Sequence, residues 1–189
     1  KGRPVAILVH GVAASRDEWA ALQSELADRG IGSLALDLRG HGQSLAGPPN
    51  STDFTGFDAS GQWPRAQNDV EAAAAFLKKR GIPDSRLIYI GASIGANLVS
   101  RAQPRPRCLV LLSPGTDYRG VRLAPPTPQL PTLVAASPQD GYAAQTSSAY
   151  AAAGKNVTLL PARAGHGAQM LSDPNFLDAL LRWLERQDR

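Results

Sequence analysis

The chain alternates short apolar runs with longer stretches of helical spacing, and this alternation constrains its fold more than any other feature. The apolar runs are continuous and partly β-branched, which is typical of strands buried on both faces. Strands that alternate with helices form a mainly parallel sheet, because right-handed crossovers place helices on both of its faces. The sequence therefore predicts an α/β fold with a doubly wound sheet of about six strands, at residues 4–10, 31–37, 86–92, 107–113, 132–137 and 156–162.

Helix start and stop signals separate these runs. Ser15 and Glu18 have the spacing of a capping box, which predicts a helix that Gly30 ends. Pro64 suits the first turn of a second helix, which Gly81 ends. Further helices are predicted at about 94–101, 142–153 and 174–187. No repeat or linker divides the chain, so we expect residues 1–189 to form a single domain.

Charge and composition argue against several classes of function. The net charge of +4 comes mostly from scattered arginines, and the densest cluster, at 101–107, contains two prolines and no aromatic residue. Nucleic-acid binding is therefore disfavoured. The single cysteine, Cys108, rules out an intrachain disulfide and lies in an apolar run, where we expect a buried side chain. The three histidines lack metal-ligand spacing, so no metal is predicted.

The sequence leaves the cellular compartment open. No stretch approaches the ~18 consecutive apolar residues of a membrane span, and no signal peptide is recognisable. The chain begins with Lys1 and reaches a strand almost at once, which is compatible with removal of an upstream segment. We expect a soluble protein, cytoplasmic or exported, of unknown oligomeric state.

The most specific motif is GASIG at residues 91–95, which matches G-x-S-x-G between a predicted strand and a predicted helix. A nucleophile at such a sharp turn has a strained backbone, and the flanking glycines let neighbouring elements approach. Ser93 would project at the start of the helix, where backbone N–H groups point outward. The segment lacks the glycine pattern of phosphate-binding loops. We therefore predict that Ser93 is a nucleophile.

A serine hydroxyl needs a base that removes its proton during attack. His166 follows the last predicted strand, and Asp140 follows the strand before it. Functional groups of parallel sheets gather at the carboxyl ends of the strands, and the order Ser, acid, His belongs to the G-x-S-x-G class. We predict a catalytic triad of Ser93, Asp140 and His166. Asp117, which follows an earlier strand, stays an alternative acid.

The attacked carbonyl oxygen also needs hydrogen-bond donors as it becomes negatively charged. The N–H of Ile94, directly after the predicted nucleophile, is one candidate. The N–H of Val12 is the second, since it follows an earlier strand and Gly11 allows close approach. One such donor typically contributes about 2.7–4 kcal/mol to transition-state stabilisation.

With these motifs assembled, the chain resembles the α/β-hydrolase superfamily over nearly its whole length, above all its small esterase, lipase-like and dienelactone-hydrolase-like members. The matching segments are HGVAAS at 10–15, DLRGHGQS at 37–44, GASIGANL at 91–98, Asp140, and GHG at 165–167. The resemblance implies that His10 shapes the oxyanion loop and that His41 lies in a structural turn at the pocket rim. Many members have further strands before the first one here and insert a helical cap where this chain has only about 18 residues, at 114–131. We therefore expect a minimal, capless fold with an open, shallow pocket.

Two functions from different classes fit this sequence. The first is a serine hydrolase that cleaves carboxylic esters, or else thioesters or amides, of small molecules through an acyl-enzyme and without a cofactor. The second is a non-catalytic hydrolase-fold module that binds a partner. Because no triad residue is missing, the sequence favours the enzyme. Candidates for substrate contacts are Gly11, His10, Trp63 and Tyr142, and for Trp63, Phe54 and Phe57 the alternative is that they anchor the 39–63 loop in the core.

Overall fold

The computed structural model of the chain describes residues 2–45 and 53–187. Its main sheet has six strands, all parallel, and a separate antiparallel hairpin follows the fourth strand. Residues 46–52 of the predicted 39–63 loop lie outside the described residues. The strands are β1 (Val5–Val9), β2 (Gly32–Leu36), β3 (Leu87–Ala92), β4 (Cys108–Leu112), β5 (Asp117–Tyr118), β6 (Val121–Arg122), β7 (Thr132–Ala136) and β8 (Val157–Pro161).

The order across the main sheet is β2-β1-β3-β4-β7-β8. Helices cover both faces of this sheet, as the alternating sequence pattern predicts. The helices are α1 (Ala20–Asp28), α2 (Phe57–Ser60), α3 (Gln67–Lys79), α4 (Ile94–Arg101), α5 (Gly141–Ala153) and α6 (Pro174–Arg186).

Strand β1 shows why the apolar runs are continuous. Ala6 and Leu8 point into the core that α1 and α6 cover, whereas Ile7 and Val9 point into the core beneath α3 and α4. Both sets are fully buried. A strand that is buried on both faces has no position at which a polar side chain can reach water. The predicted α/β class and six-stranded sheet are therefore confirmed.

The 114–131 connection contains the short β5–β6 hairpin, which no sequence pattern predicts. One local feature contradicts a prediction. The capping box predicted from Ser15 and Glu18 is wrong. Ser15 Oγ accepts the N–H of Asp17 at 3.2 Å, as expected of a cap, but the Glu18 carboxylate turns away to the Gly11 N–H. The first turn, Arg16–Trp19, is a 3₁₀ helix that leads into α1.

Three further properties bear on the classes of function considered above: the state of the cysteine, membrane-spanning helices and metal-binding clusters. Cys108 is fully buried in β4, and desolvation raises the pKa of its thiol to about 12. Within residues 2–45 and 53–187, none of the helices has the length and apolar character needed to cross a bilayer. The same residues contain no group of three His, Cys, Asp or Glu side chains placed to hold a metal ion.

Candidate active site

Ser93 lies at the turn between β3 and α4 in a strained backbone conformation, with φ 54° and ψ −124°. Its N–H donates to the carbonyl of Leu112 at 2.8 Å, which ties the turn to β4. Neither flanking residue has room for a side chain. A Cβ on Gly91 would lie 2.3 Å from the carbonyl oxygen of Gly95, and a Cβ on Gly95 would lie 2.3 Å from that of Val9. The sequence motif therefore forms the sharp strand-to-helix turn that it predicts.

His166 meets a carboxylate at the carboxyl end of the neighbouring strand β7. Its Nδ1 lies 2.5 Å from Asp140 Oδ2, so the Nδ1–H donates to the carboxylate and Nε2 keeps a free lone pair. The side chain of His166 is 43% exposed. Its backbone N–H donates to Gln169 Oε1 at 3.1 Å, and the Gln169 N–H donates back to the His166 carbonyl at 3.2 Å. Both the ring and the backbone of His166 are thus held.

Gly167 packs the histidine loop against the serine turn. A Cβ on Gly167 would lie 3.1 Å from the Ala92 Cβ and 3.6 Å from the Ser93 nitrogen, and the residue has φ 58°, which favours glycine. Its N–H donates to Ser113 Oγ at 2.9 Å, at the end of β4. Ser93, Asp140 and His166 therefore come from loops that meet at one edge of the sheet.

The structure separates the two candidate acids. Asp140 caps α5 through a 3.4 Å bond from the Ala143 N–H to Oδ1, and its other oxygen faces His166. Asp117 instead uses its carboxylate inside the hairpin. Its Oδ1 accepts the Gly120 N–H at 2.8 Å, and its Oδ2 lies 3.7 Å from Arg122 Nε. The histidine is brought to Asp140 and not to Asp117.

The loop after β1 packs beside the serine. A Cβ on Gly11 would lie 3.2 Å from the Ser93 Cβ, so glycine allows the approach that was expected there. The Gly11 N–H donates to Glu18 Oε1 at 3.3 Å. Desolvation raises the pKa of the Glu18 carboxyl, and the hydrogen bond from the Gly11 N–H and the nearby His166 offset part of this rise. Among the described residues, the N–H groups of Val12 and Ile94 have no hydrogen-bond acceptor.

His10 is fully buried and supports this loop. Its Nδ1–H donates to the Gly11 carbonyl at 2.7 Å, and its Nε2 accepts the Leu38 N–H at 3.0 Å. Burial lowers the pKa of His10 to about 4, so the ring is neutral at physiological pH. Both nitrogens are used inside the protein, which corrects the suggestion of a substrate contact for His10.

His41 belongs to a buried aromatic cluster. Its Nδ1–H donates to the Arg39 carbonyl at 2.9 Å, and its ring stacks on Phe54 with centroids 4.5 Å apart. Burial lowers its pKa as well. Trp63 is only 1% exposed, packs edge-on against Phe57, and donates its indole N–H to Asp58 at 3.1 Å. The interpretation of Trp63 as a substrate contact is corrected accordingly, because the core surrounds its ring.

Tyr142 is 46% exposed, but its hydroxyl is occupied. It bonds Thr116 Oγ1 at 2.7 Å, accepts the Asp117 N–H at 3.0 Å and donates to the Asp117 carbonyl at 3.0 Å. Tyr142 therefore anchors the start of the β5–β6 hairpin to α5. No part of its hydroxyl is left to hold a substrate.

Sequence reasoning missed Asn97, which lies one turn after Ser93 in α4. Its fully buried amide donates to the carbonyls of Gly115 at 2.8 Å and Val121 at 2.7 Å, and accepts the Gly115 N–H at 3.2 Å. It thereby clamps both ends of the hairpin. A polar residue within the apolar face of GASIGANL is the signal that would have found it.

We expect replacement of Asn97 by alanine to destabilise the protein by about 2–4 kcal/mol, because it leaves buried peptide groups of Gly115 and Val121 unpaired. Urea unfolding measures this loss. Asn175→Ala, at an exposed asparagine in the first turn of α6, is the matched control and should change the free energy of unfolding by less than about 0.5 kcal/mol. Equal effects of the two substitutions would contradict the clamp.

Comparison of the sequence with models of known protein families identifies the family. A sequence model of the alpha/beta hydrolase family matches residues 6–189. The chain belongs to the alpha/beta hydrolase family. No curated protein sequence matches this hydrolase.

Solved structures of the same fold come from several organisms. MenH from S. aureus aligns with a TM-score of 0.75 at 12% identity, over 100% of this chain and 96% of that one. The Pyrococcus furiosus esterase Pf2001 aligns with a TM-score of 0.66 at 18% identity, over 98% and 83%. Est1E from Butyrivibrio proteoclasticus, solved with ferulic acid bound, aligns with a TM-score of 0.66 at 16% identity, over 97% and 90%. At such identities these likenesses show the fold alone.

Proposed function

We propose that this alpha/beta hydrolase is a serine hydrolase that cleaves carboxylic esters of small molecules through an acyl-enzyme. One observation carries the proposal. The 2.5 Å contact between His166 Nδ1 and Asp140 Oδ2 is made by a loop whose Gly167 packs directly on the strained Ser93 turn. A base oriented in this way beside a serine is what nucleophilic attack by a hydroxyl requires.

In the proposed reaction, Ser93 Oγ attacks the carbonyl carbon while His166 Nε2 takes the hydroxyl proton. The Asp140 carboxylate holds the imidazole in the tautomer that leaves Nε2 basic, and it stabilises the imidazolium that forms. His166 then returns the proton to the departing alcohol. A water molecule attacks the acyl-enzyme by the same route and releases the acid.

The N–H groups of Val12 and Ile94 are the proposed hydrogen-bond donors that stabilise the negative charge on the carbonyl oxygen. Neither group has an acceptor among the described residues, and Gly11 brings the first loop against the serine. Helix α4 starts at Ile94, so its dipole adds positive potential at the same point. Such preorganised donors stabilise the transition state without reorganisation.

A fluorophosphonate probe tests this proposal, because it reacts covalently with activated serines. We expect the wild-type protein to be labelled and Ser93→Ala to lose labelling completely. Ser137→Ala is the matched control, since Ser137 Oγ is buried at the end of β7 without a partner, and this variant should label like the wild type. A folded wild-type protein that does not react would favour a non-catalytic binding module instead.

A further inference from the structure

Tyr118 places a second hydroxyl beside the proposed nucleophile. It is the last residue of β5, and its ring meets the His166 ring edge to face, with centroids 6.4 Å apart and an interplanar angle of 82°. Its hydroxyl donates to the Ser113 carbonyl at 3.3 Å and also interacts with the Ser93 side chain. The phenol therefore borders both the serine and the histidine.

The position of Tyr118 relative to Ser93 decides which part of an ester it faces. The Gly11 loop, which carries the proposed oxyanion donor Val12, packs against the Ser93 side chain. Tyr118 lies with the histidine loop, since its ring meets His166 and both its hydroxyl and the Gly167 N–H bond to Ser113. When the carbonyl oxygen is held at the donors, the alcohol departs towards the group that protonates it, which is His166. Tyr118 thus faces the leaving group.

The Tyr118 proton is available for a new bond. The Tyr118 hydroxyl oxygen lies 3.3 Å from the Ser113 carbonyl oxygen. This distance is longer than the usual 2.5–3.0 Å of an O–H···O bond, so the bond is weak. A phenolic O–H rotates about its C–O bond and can exchange this acceptor for another. Burial, with a further contribution from Asp140, raises the pKa of Tyr118 to about 12, so the group stays protonated and remains a donor.

The hairpin that carries Tyr118 is held on three sides. Asn97 clamps its ends to α4, and the Tyr142 hydroxyl ties residues 116–117 to α5. At the tip, Arg119 forms an ion pair with Asp58, and its guanidinium lies 5.7 Å from the centre of the Trp63 ring. A donor on such a fixed support is preorganised, as transition-state stabilisation requires.

We propose that the Tyr118 hydroxyl donates a hydrogen bond to the leaving-group oxygen of the ester and so determines which alcohols the enzyme releases. This role rests on the proposed serine hydrolase function. In the step concerned, the bond between the carbonyl carbon and the alcohol oxygen breaks, and His166 transfers its proton to that oxygen. Tyr118 keeps its own proton and stabilises the charge that develops on the oxygen before protonation is complete.

The test compares acetate esters whose leaving groups become progressively poorer: p-nitrophenyl acetate, phenyl acetate and ethyl acetate. Tyr118→Phe removes only the hydroxyl. We expect it to lower kcat/KM by less than about 3-fold for p-nitrophenyl acetate and by about 10- to 100-fold for the poorest leaving group, as the loss of a hydrogen bond to a charged oxygen predicts. The value of kcat/KM includes leaving-group departure and is therefore the correct readout.

Tyr89→Phe is the matched control, because it removes a phenol that donates to the Pro104 carbonyl at 2.9 Å, before β4. We expect it to leave the ratio between the three esters unchanged. A loss in Tyr118→Phe that is equal for all esters, or no loss, would overturn the role of Tyr118 while leaving the serine hydrolase intact. A wild-type protein that neither hydrolyses these esters nor reacts with the fluorophosphonate would overturn the proposed function itself.

Discussion

His166→Ala is expected to lower kcat for ester hydrolysis by about 10⁴- to 10⁶-fold, because the serine hydroxyl loses its proposed base and the members of a triad act as a unit. The protein should remain folded. The histidine side chain is 43% exposed, and the Asp140 carboxylate that loses its partner is itself 18% exposed. Steady-state kinetics with p-nitrophenyl acetate, together with circular dichroism, measure both expectations.

The chain supplies a matched control, since the tripeptide GHG also surrounds His41. In His41→Asn, the side-chain amide can still donate to the Arg39 carbonyl, as Nδ1–H of His41 does. We expect this variant to melt at a lower temperature, because a ring that stacks on Phe54 is lost. Its kcat should stay within about 5-fold of wild type, a change of under about 1 kcal/mol. If His41→Asn abolished turnover and His166→Ala did not, the assignment of the base would be wrong.

Asp140→Asn is expected to reduce kcat by about 10⁴-fold, because an amide no longer holds the imidazole in the productive tautomer. Asparagine is as good an N-cap as aspartate, so the cap of α5 at Ala143 survives the substitution. The variant therefore separates the electrostatic role of Asp140 from its structural one. Unfolding curves should coincide with those of the wild type.

Asp117→Asn is the control for the alternative acid. Its amide oxygen can still accept the Gly120 N–H, so the hairpin turn is preserved. We expect kcat to fall by less than about 3-fold, since a surface ion pair with Arg122 contributes at most about 1 kcal/mol. Near-normal turnover in Asp140→Asn with a large loss in Asp117→Asn would transfer the role of triad acid to Asp117.

Much of the fold follows from the sequence because the sheet is buried on both faces. Continuous apolar runs such as VAILV in β1 can only be strands or buried helices, and the turn residues between them exclude long helices. The site follows from the same order. Residues after consecutive strands meet at one edge of a parallel sheet, so the strand order alone predicts the contact between Asp140 and His166.

The parts that sequence reasoning missed depend on contacts between distant segments. The β5–β6 hairpin has strands of two residues, too short to show any periodicity, and it is held by Asn97 and Tyr142 from two different helices. Glu18 matches a capping box in spacing, but the buried Gly11 N–H offers its carboxylate a different partner. Trp63 follows a loop, yet its ring is buried in the core. Burial of its large aromatic surface is favourable, and the cost of burying the indole N–H is offset because this group donates to Asp58.

The clamp at Asn97 has a mechanical consequence. Asn97 lies one turn after Ser93, the residue that precedes α4, and it bonds to residues before β5 and in β6, so the helix and the hairpin are tied together close to the serine turn. Because the Ser93 N–H is bonded to β4, the serine turn, the sheet and the hairpin that carries Tyr118 form one connected frame. A helical lid would have to close onto its site for each turnover. Here the buried Asn97 amide, the Tyr142 hydroxyl and the Arg119–Asp58 ion pair hold the adjoining hairpin in the folded chain.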